Sequence, residues 1–167
     1  MSTTKTDPAP HKHPTTTERT SDRELVVTRR VNAPARMVFQ AWTTPALMER
    51  WWVPKSFGIT LLSCEIDART GGSYRFVFGI PNTDQTMAFF GKYLEMIPDA
   101  RLVWTNEESA EGAVSTVNFA ETGGVTLVTL HELYPSKAAL DDAMASGSNG
   151  AWPEQFDALD ELLATAG

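Results

Sequence analysis

Several features that define other classes of protein are missing from this sequence. Its 167 residues include one cysteine, Cys64, so no disulfide can form within the chain. No apolar run reaches the roughly 18 residues of a membrane-spanning helix, and the N-terminus lacks the apolar core of a secretory signal. These absences predict a soluble protein of the reducing cytoplasm, with no membrane partner.

Positive charge is also scarce. The chain has 14 Lys and Arg residues against 21 Asp and Glu residues, and its net charge is −7. Nucleic-acid binding requires cations that face successive phosphates, and no dense cluster of Lys and Arg occurs along the chain. We therefore expect no nucleic-acid partner.

The residue patterns of common catalytic and cofactor sites are absent as well. The chain has no G-x-S-x-G nucleophile motif, and Gly71 and Gly72 belong to a predicted hairpin rather than to a strand-to-helix turn that binds a dinucleotide. His11 and His13 lie two residues apart with no third metal ligand in reach. The residues thus indicate no metal, no cofactor and no catalytic residue, which favours a function other than catalysis without deciding it.

The composition is that of one ordinary globular domain. Hydrophobic residues make up 42% and aromatic residues 10% of the chain, and a chain of this length can bury a core without disulfides or metals. Residues 1–22 differ, because they are rich in Thr, Pro and Lys and contain almost no large apolar side chain. We predict a disordered tail over residues 1–22 and a single domain over residues 23–167.

The spacing of apolar residues predicts an α+β fold. A strand at Glu24–Val31 precedes two short helices, which begin near Pro34 and Pro45 because proline suits the first helical turn. The period then changes from 3.6 to 2 residues, and the short connections require neighbouring strands to run antiparallel. The six strands of this predicted meander are Ile59–Ala68, Ser73–Phe78, Thr86–Met96, Arg101–Asn106, Val114–Glu121 and Val125–Leu133.

Two more helices are predicted after this seven-stranded sheet. Ser136 is suited to cap a short one, and the last helix runs from about Ala151 to Ala164 with Pro153 in its first turn. The apolar stripe of the last helix comprises Trp152, Phe156, Leu159, Leu162 and Leu163.

The most distinctive pattern lies in Asn32–Pro54, and separated motifs follow it in a fixed order. These are Ala33-Pro34, Ala41-Trp42-Thr43, Trp51-Trp52-x-Pro54, Asp67-x-Arg69-x-Gly71-Gly72-x-Tyr74, Gly91-x-Tyr93, Thr126-x-Val128-Thr129-Leu130-His131 and Gly150-x-Trp152. Together they resemble the START-like, helix-grip superfamily (SRPBCC), in the AHSA1-like branch named after the activator of Hsp90 ATPase. One departure is the stretch Gly147–Gly150 with Pro153, which predicts a kink or a split in the last helix.

The resemblance implies a curved sheet that wraps the long C-terminal helix around a ligand cavity. Strand alternation places Tyr74, Phe76 and Phe78 on one face, which we assign to the inside, and Thr116, Asn118 and Thr129 are expected as polar groups that reach the cavity. Plain core packing is the alternative for the aromatic residues, and a structural role is the alternative for His131. The predicted cavity lining is Trp51, Trp52, Phe57, Tyr74, Phe76, Phe78, Tyr93, Trp104, His131, Trp152, Phe156 and Leu159.

Three functions stay open at this point. The first is a binding protein for a small apolar or aromatic molecule, and the second is an aromatase/cyclase-like or hydrolytic enzyme in which Tyr74, Tyr93 or His131 moves protons. The third is a regulator of an Hsp90-type chaperone, although the chain leaves no room for the separate N-terminal domain of the activator, which argues against this function. A homodimer through Val77 or Phe90 on the outer face of the sheet is a further option.

Overall fold

The computed structural model describes residues 13–53, 56, 58–146 and 151–166. Within them, eight strands and four helices follow one another along the chain. The strands are β1 (Thr16–Arg19), β2 (Glu24–Val31), β3 (Thr60–Ile66), β4 (Ser73–Gly79), β5 (Thr86–Ile97), β6 (Arg101–Thr105), β7 (Val114–Thr122) and β8 (Val125–Leu133). The helices are α1 (Ala35–Thr43), α2 (Pro45–Trp51), α3 (Lys137–Ala145) and α4 (Trp152–Ala166).

All eight strands form one antiparallel sheet in the order β1-β2-β8-β7-β6-β5-β4-β3. The strands from β3 to β8 are the predicted meander, since each pairs with its neighbour along the chain. β2 joins the sheet beside β8, the last strand of that meander. The chain therefore crosses from one side of the sheet to the far edge between β2 and β3, and α1 and α2 make that crossing.

β1 corrects the prediction of a disordered tail over residues 1–22. It pairs with β2 in a regular antiparallel register from Thr16 opposite Thr28 to Arg19 opposite Leu25. All four of its residues are exposed, so it carries no apolar pattern and is held by the backbone hydrogen bonds of the sheet edge. The tail residues 1–12 lie outside the described residues.

The helices begin largely where the sequence predicts. Pro34 is the N-cap of α1, one position before the predicted first turn, and Pro45 occupies the first turn of α2. The hydroxyl of Ser136 accepts a hydrogen bond from the backbone N–H of Ala139 at 3.1 Å and caps α3. α4 is a separate helix with Pro153 in its first turn, while the predicted interruption at 147–150 lies outside the described residues.

β5 gives the sheet its bend. Its first part pairs with β4 and its last part with β6, and the register shifts between Tyr93 and Glu95; such bulges increase the local twist. At the change of partner, a Cβ atom on Gly91 would lie 2.0 Å from the carbonyl oxygen of Thr105. Only glycine lets the backbone of β6 approach β5 this closely.

A buried ion pair attaches α4 to the sheet. Arg29 of β2 is 1% exposed, and its guanidinium donates to Asp160 at 2.7 Å and to Asp157 at 2.7 Å. Asp160 also accepts a hydrogen bond from the backbone N–H of Asn32 at 2.9 Å. A carboxylate on each of two successive turns of α4 thus fixes the helix over the end of β2.

Candidate ligand-binding site

A cavity of about 640 Å³ opens between the concave side of the sheet, α3 and the start of α4. A smaller pocket of about 40 Å³ lies deeper, beside α1 and α2. The two share four lining residues, Trp52, Phe89, Trp104 and Asn106. We refer to the larger space as the main cavity and to the smaller one as the inner pocket.

Aromatic rings form much of the wall of the main cavity. Three of them lie on β4, β5 and β6, where inward positions alternate along each strand, and the other three lie at the end of α2, just after β8 and at the start of α4. The rings pack edge to face, with centroid distances of 5.2 Å between Phe78 and Phe89 and 5.6 Å between Trp52 and Trp152. The aromatic wall residues are Trp52, Phe78, Phe89, Trp104, Tyr134 and Trp152.

Polar side chains of β7 and β8 face the main cavity on one side. Glu132 is 9% exposed and lies opposite Ser115 in the β7–β8 register. The carboxylate of Glu132 accepts hydrogen bonds from the hydroxyl of Ser115 at 3.4 Å and from the hydroxyl of Tyr134 at 3.4 Å. Asn106 donates to Ser115 at 3.1 Å and to the carbonyl of Ala113 at 2.7 Å, so the polar wall is a connected network.

The charged side chains that the structure describes along the wall of the main cavity are all acidic. Glu108, Glu111 and Asp142 line its mouth and are exposed, while Glu132 lies within it. Among the described residues that line the cavity, none is a lysine or an arginine. Carboxylates therefore set the electrostatic potential of the described wall.

Two tyrosines line the inner pocket. The hydroxyl of Tyr74 donates to the carbonyl of Thr105 at 2.6 Å. Burial, aided by nearby acidic groups, raises the pKa of Tyr74 well above its ordinary value, and burial likewise raises the pKa of Tyr93. Both phenols therefore stay protonated near neutral pH, and each is able to donate a hydrogen bond.

Seven of the twelve predicted lining residues border one of the two spaces. Trp52 and Trp104 border both, Phe78 and Trp152 border the main cavity, and Tyr74, Phe76 and Tyr93 border the inner pocket. The twelfth, Phe57, lies outside the described residues. The remaining four are placed elsewhere.

Three of those four belong to the core. Trp51 is fully buried, and its indole N–H donates to the carbonyl of Ala41 at 3.0 Å. Phe156 stacks on Trp152 at 5.4 Å, and Leu159 is fully buried one turn further along α4. The structure departs from the prediction that these three line the cavity, because all three are fully buried in the hydrophobic core and none borders either space.

His131 is the fourth, and its predicted inward orientation is wrong. On β8 the buried side chains are Thr126, Val128, Leu130 and Glu132, so His131 points to the outer face of the sheet. There its ring lies 2.7 Å from the carboxylate of Glu24 on β2. The same alternation places three other predicted polar groups, Thr116, Asn118 and Thr129, on the outer face.

Sequence reasoning missed the polar wall for an identifiable reason. Both faces of β8 carry apolar residues, so alternation alone does not decide which face is inside. The one sequence signal for the inward position of Glu132 was that it shares a face of β8 with the apolar residues Val128 and Leu130. A metal site has no support in the described part of the chain, where no three His, Cys, Asp or Glu residues are grouped to hold an ion.

An antiparallel sheet that curves around a C-terminal helix with a hollow between them defines a helix-grip, START-like domain. The chain belongs to the AHSA1-like family, because the family model described as "Activator of Hsp90 ATPase homolog 1-like protein" matches residues 32–164. This membership places it among ligand-binding or regulatory domains. A comparison with curated proteins gives no match.

Solved structures share the fold over nearly their full length. A Rhodobacter sphaeroides protein has a TM-score of 0.83 at 23% identity, covering 92% of this chain and 99% of that one. A Nitrosomonas europaea protein has a TM-score of 0.79 at 22% identity, covering 87% and 97%. An AHSA1-like protein from Aeromonas hydrophila has a TM-score of 0.67 at 17% identity, covering 85% and 94%.

None of the helices in the described residues has the length and apolar character needed to cross a bilayer.

Proposed function

We propose that this protein binds a small apolar or aromatic molecule in the main cavity. The observation that carries the proposal is the cavity itself, which at about 640 Å³ falls within the roughly 300–1,000 Å³ range of small-molecule sites. Its wall combines six aromatic rings with a few placed polar groups, which is the usual composition of such sites.

The geometry favours binding over the enzymatic alternative. His131, one of the three candidates for moving protons, contacts Glu24 on the outer face of the sheet. The raised pKa values of Tyr74 and Tyr93 oppose a role of either phenol as a base near neutral pH. The inward polar groups are hydrogen-bonding residues suited to orienting a guest.

A cavity-filling substitution tests the proposal. Ala143 of α3 lines the main cavity, whereas its neighbour Met144 is exposed and does not. We expect Ala143→Phe to weaken binding of the neutral apolar dye Nile red by about tenfold or more, or about 1.4 kcal/mol, because the new ring occupies the space of the guest. Met144→Phe adds a similar ring outside the cavity and should bind the dye like the original protein.

The readout is a Nile red fluorescence titration, with native mass spectrometry of gently purified protein to detect a retained molecule. Melting curves of both variants check that the fold is intact. Absence of saturable dye binding together with absence of any retained molecule would refute the proposal, and so would equal dye binding by the two variants.

A further inference from the structure

We infer that the molecule held in the main cavity carries an uncharged hydrogen-bond acceptor, such as a ketone oxygen, and that it places this oxygen in the inner pocket. This inference rests on the proposed function, and it adds the chemical class of the ligand. Two side chains that line the inner pocket support it, Trp42 of α1 and Tyr93 of β5. Each is a buried hydrogen-bond donor that finds no acceptor among the described residues.

Trp42 is the first of these donors. It is 2% exposed, its ring borders the inner pocket, and its indole N–H meets no acceptor in the part of the chain that the structure describes. Buried N–H groups are nearly always hydrogen-bonded, because an orphaned one costs stability. The adjacent indole of Trp51 follows this rule, since its N–H donates to the carbonyl of Ala41 at 3.0 Å. The N–H of Trp42 is therefore an exception that an acceptor on a ligand would remove.

Tyr93 is the second donor. It is 4% exposed and borders the same pocket, and no hydrogen bond joins its hydroxyl to another residue within the described ranges. Its neighbour Tyr74 differs, because the hydroxyl of Tyr74 donates to the carbonyl of Thr105 at 2.6 Å. The protein thus provides an acceptor for one of the two phenols in this pocket. The other keeps its O–H available for a guest.

The inner pocket is placed to receive a functional group of a larger ligand. It shares part of its wall with the main cavity, namely Trp52, Phe89, Trp104 and Asn106. A guest in the main cavity can therefore extend a group past these residues. The pocket measures about 40 Å³, which exceeds the roughly 10–15 Å³ that one water molecule requires. A group of a few atoms fits, and it lies close to both donors.

The two donors discriminate among oxygen-bearing groups. A carbonyl oxygen has two lone pairs and no hydrogen, so it can accept from both donors at once. An alcohol brings a further O–H that itself requires an acceptor, and the amide oxygen of Asn106 on this wall already accepts from Tyr74 at 3.4 Å. A carboxylate would be buried without a counter-charge, which is costly, because no Lys or Arg occurs among the described residues that line either space.

Three probes with one carbon skeleton test the inference without any variant. Benzylacetone is the ketone, its reduction product is the alcohol, and phenylbutyrate is the anion. Isothermal titration calorimetry with the full-length protein gives their affinities. Because the ketone and the alcohol are both uncharged and each carries one oxygen, their difference reports on the hydrogen bonds of the site. We expect the ketone to bind about fivefold or more tightly than the alcohol, and the anion to bind most weakly.

Tyr93→Phe is the matching variant. It keeps the ring and removes the hydroxyl, so it should weaken the binding of benzylacetone about fivefold or more. The binding of butylbenzene, which has no acceptor, should not weaken in the same variant. Thr129→Val also removes a hydroxyl, but from the outer face of β8, and it should leave the affinity for benzylacetone as it is.

Proton–nitrogen correlation spectra of isotope-labelled protein follow Trp42 directly. The indole N–H resonance of Trp42 should move further with benzylacetone than with butylbenzene, because only the ketone offers it an acceptor. The N–H of Trp51 is the internal control, since it is already hydrogen-bonded to Ala41 and should respond equally to both probes.

The outcomes separate this inference from the proposed function. If the alcohol binds as tightly as the ketone, or phenylbutyrate binds best, the inference of an uncharged acceptor is overturned while the binding function stands. If Tyr93→Phe folds and keeps its full affinity for benzylacetone, the role of Tyr93 is overturned, and an equal response of the Trp42 N–H to both probes overturns the role of Trp42. If no probe binds and Nile red does not bind either, the proposed function itself has failed.

Discussion

Replacing Asp160 with Ala should destabilise the protein far more than the same change at Asp157. Both carboxylates pair with Arg29 at 2.7 Å, but Asp160 is 7% exposed and Asp157 is 42% exposed. Loss of one member of a buried pair leaves a charge in a poorly solvated position, whereas a solvated pair contributes little. The contrast between two positions on one helix tests whether burial decides the energy.

The expected magnitudes follow from the contacts. Breaking a buried ion pair costs about 3–5 kcal/mol, and Asp160→Ala also removes the acceptor of the Asn32 N–H. Because Asp157 still pairs with Arg29 in this variant, we expect the lower end, about 3 kcal/mol. For a chain of this size that corresponds to a fall of roughly 6–12 °C in the melting temperature. Asp157→Ala should cost about 1 kcal/mol or less.

Urea unfolding followed by tryptophan fluorescence measures both values, and a constant denaturant slope shows that the change lies in the folded state. The double variant Arg29→Met with Asp160→Leu is the control for desolvation. It removes both buried charges and should lose less stability than Asp160→Ala alone. The reasoning is refuted if Asp157→Ala costs as much as Asp160→Ala, or if the double variant is the least stable of the three.

Three further predictions concern other parts of the fold. Gly91→Ala should destabilise the protein strongly in urea unfolding, because the new Cβ atom meets a backbone carbonyl. Gly79→Ala should cost little, because its Cβ atom makes only ordinary contacts with a side chain. Equal losses of stability in the two variants would contradict this reasoning. Burial, with a smaller contribution from a nearby acid, raises the pKa of Cys64 to about 12, so its alkylation at pH 8 should be roughly a hundredfold slower in folded than in urea-unfolded protein; equal rates would show the thiol to be accessible. The hydrogen bond from His131 lowers the pKa of Glu24 below 4.5. The ionised carboxylate therefore stabilises the fold above that pH, and this contribution is lost as the pH falls through the lowered pKa. Glu24→Gln should lose less stability on acidification than the original protein, and an unchanged pH profile would argue against the pair.

The outer face of the sheet, where a dimer contact is predicted, exposes large apolar side chains. Phe90 is 37% exposed on β5, and Leu94 is 52% exposed on the same outer face. Apolar residues are therefore present on the outside of the sheet, as expected for this side of the fold. Sedimentation velocity or light scattering tests the prediction that a second copy covers them.

The sequence by itself determined the strands and helices wherever the local signal was strong. The period of 2 from Ile59 onwards, the short turns and the capping residue Ser136 all act within a few residues, and the resulting meander is present. The inward position of Tyr74, Phe76 and Phe78 was predictable for the same reason, because only one face of β4 is strongly aromatic.

Tertiary structure decided what depends on partners distant in the chain. β1 has no apolar pattern and forms because β2 offers a free edge for pairing. On β8 the alternation of side chains is ambiguous, and its pairing with β2 and β7 determines which face of this strand points inward. The separation of the aromatic residues into core and wall, with Trp51 in the core and Trp52 at the cavity, depends on how α2 and α4 meet. A hollow has no local signature, because it arises only from the positions that several elements take relative to one another.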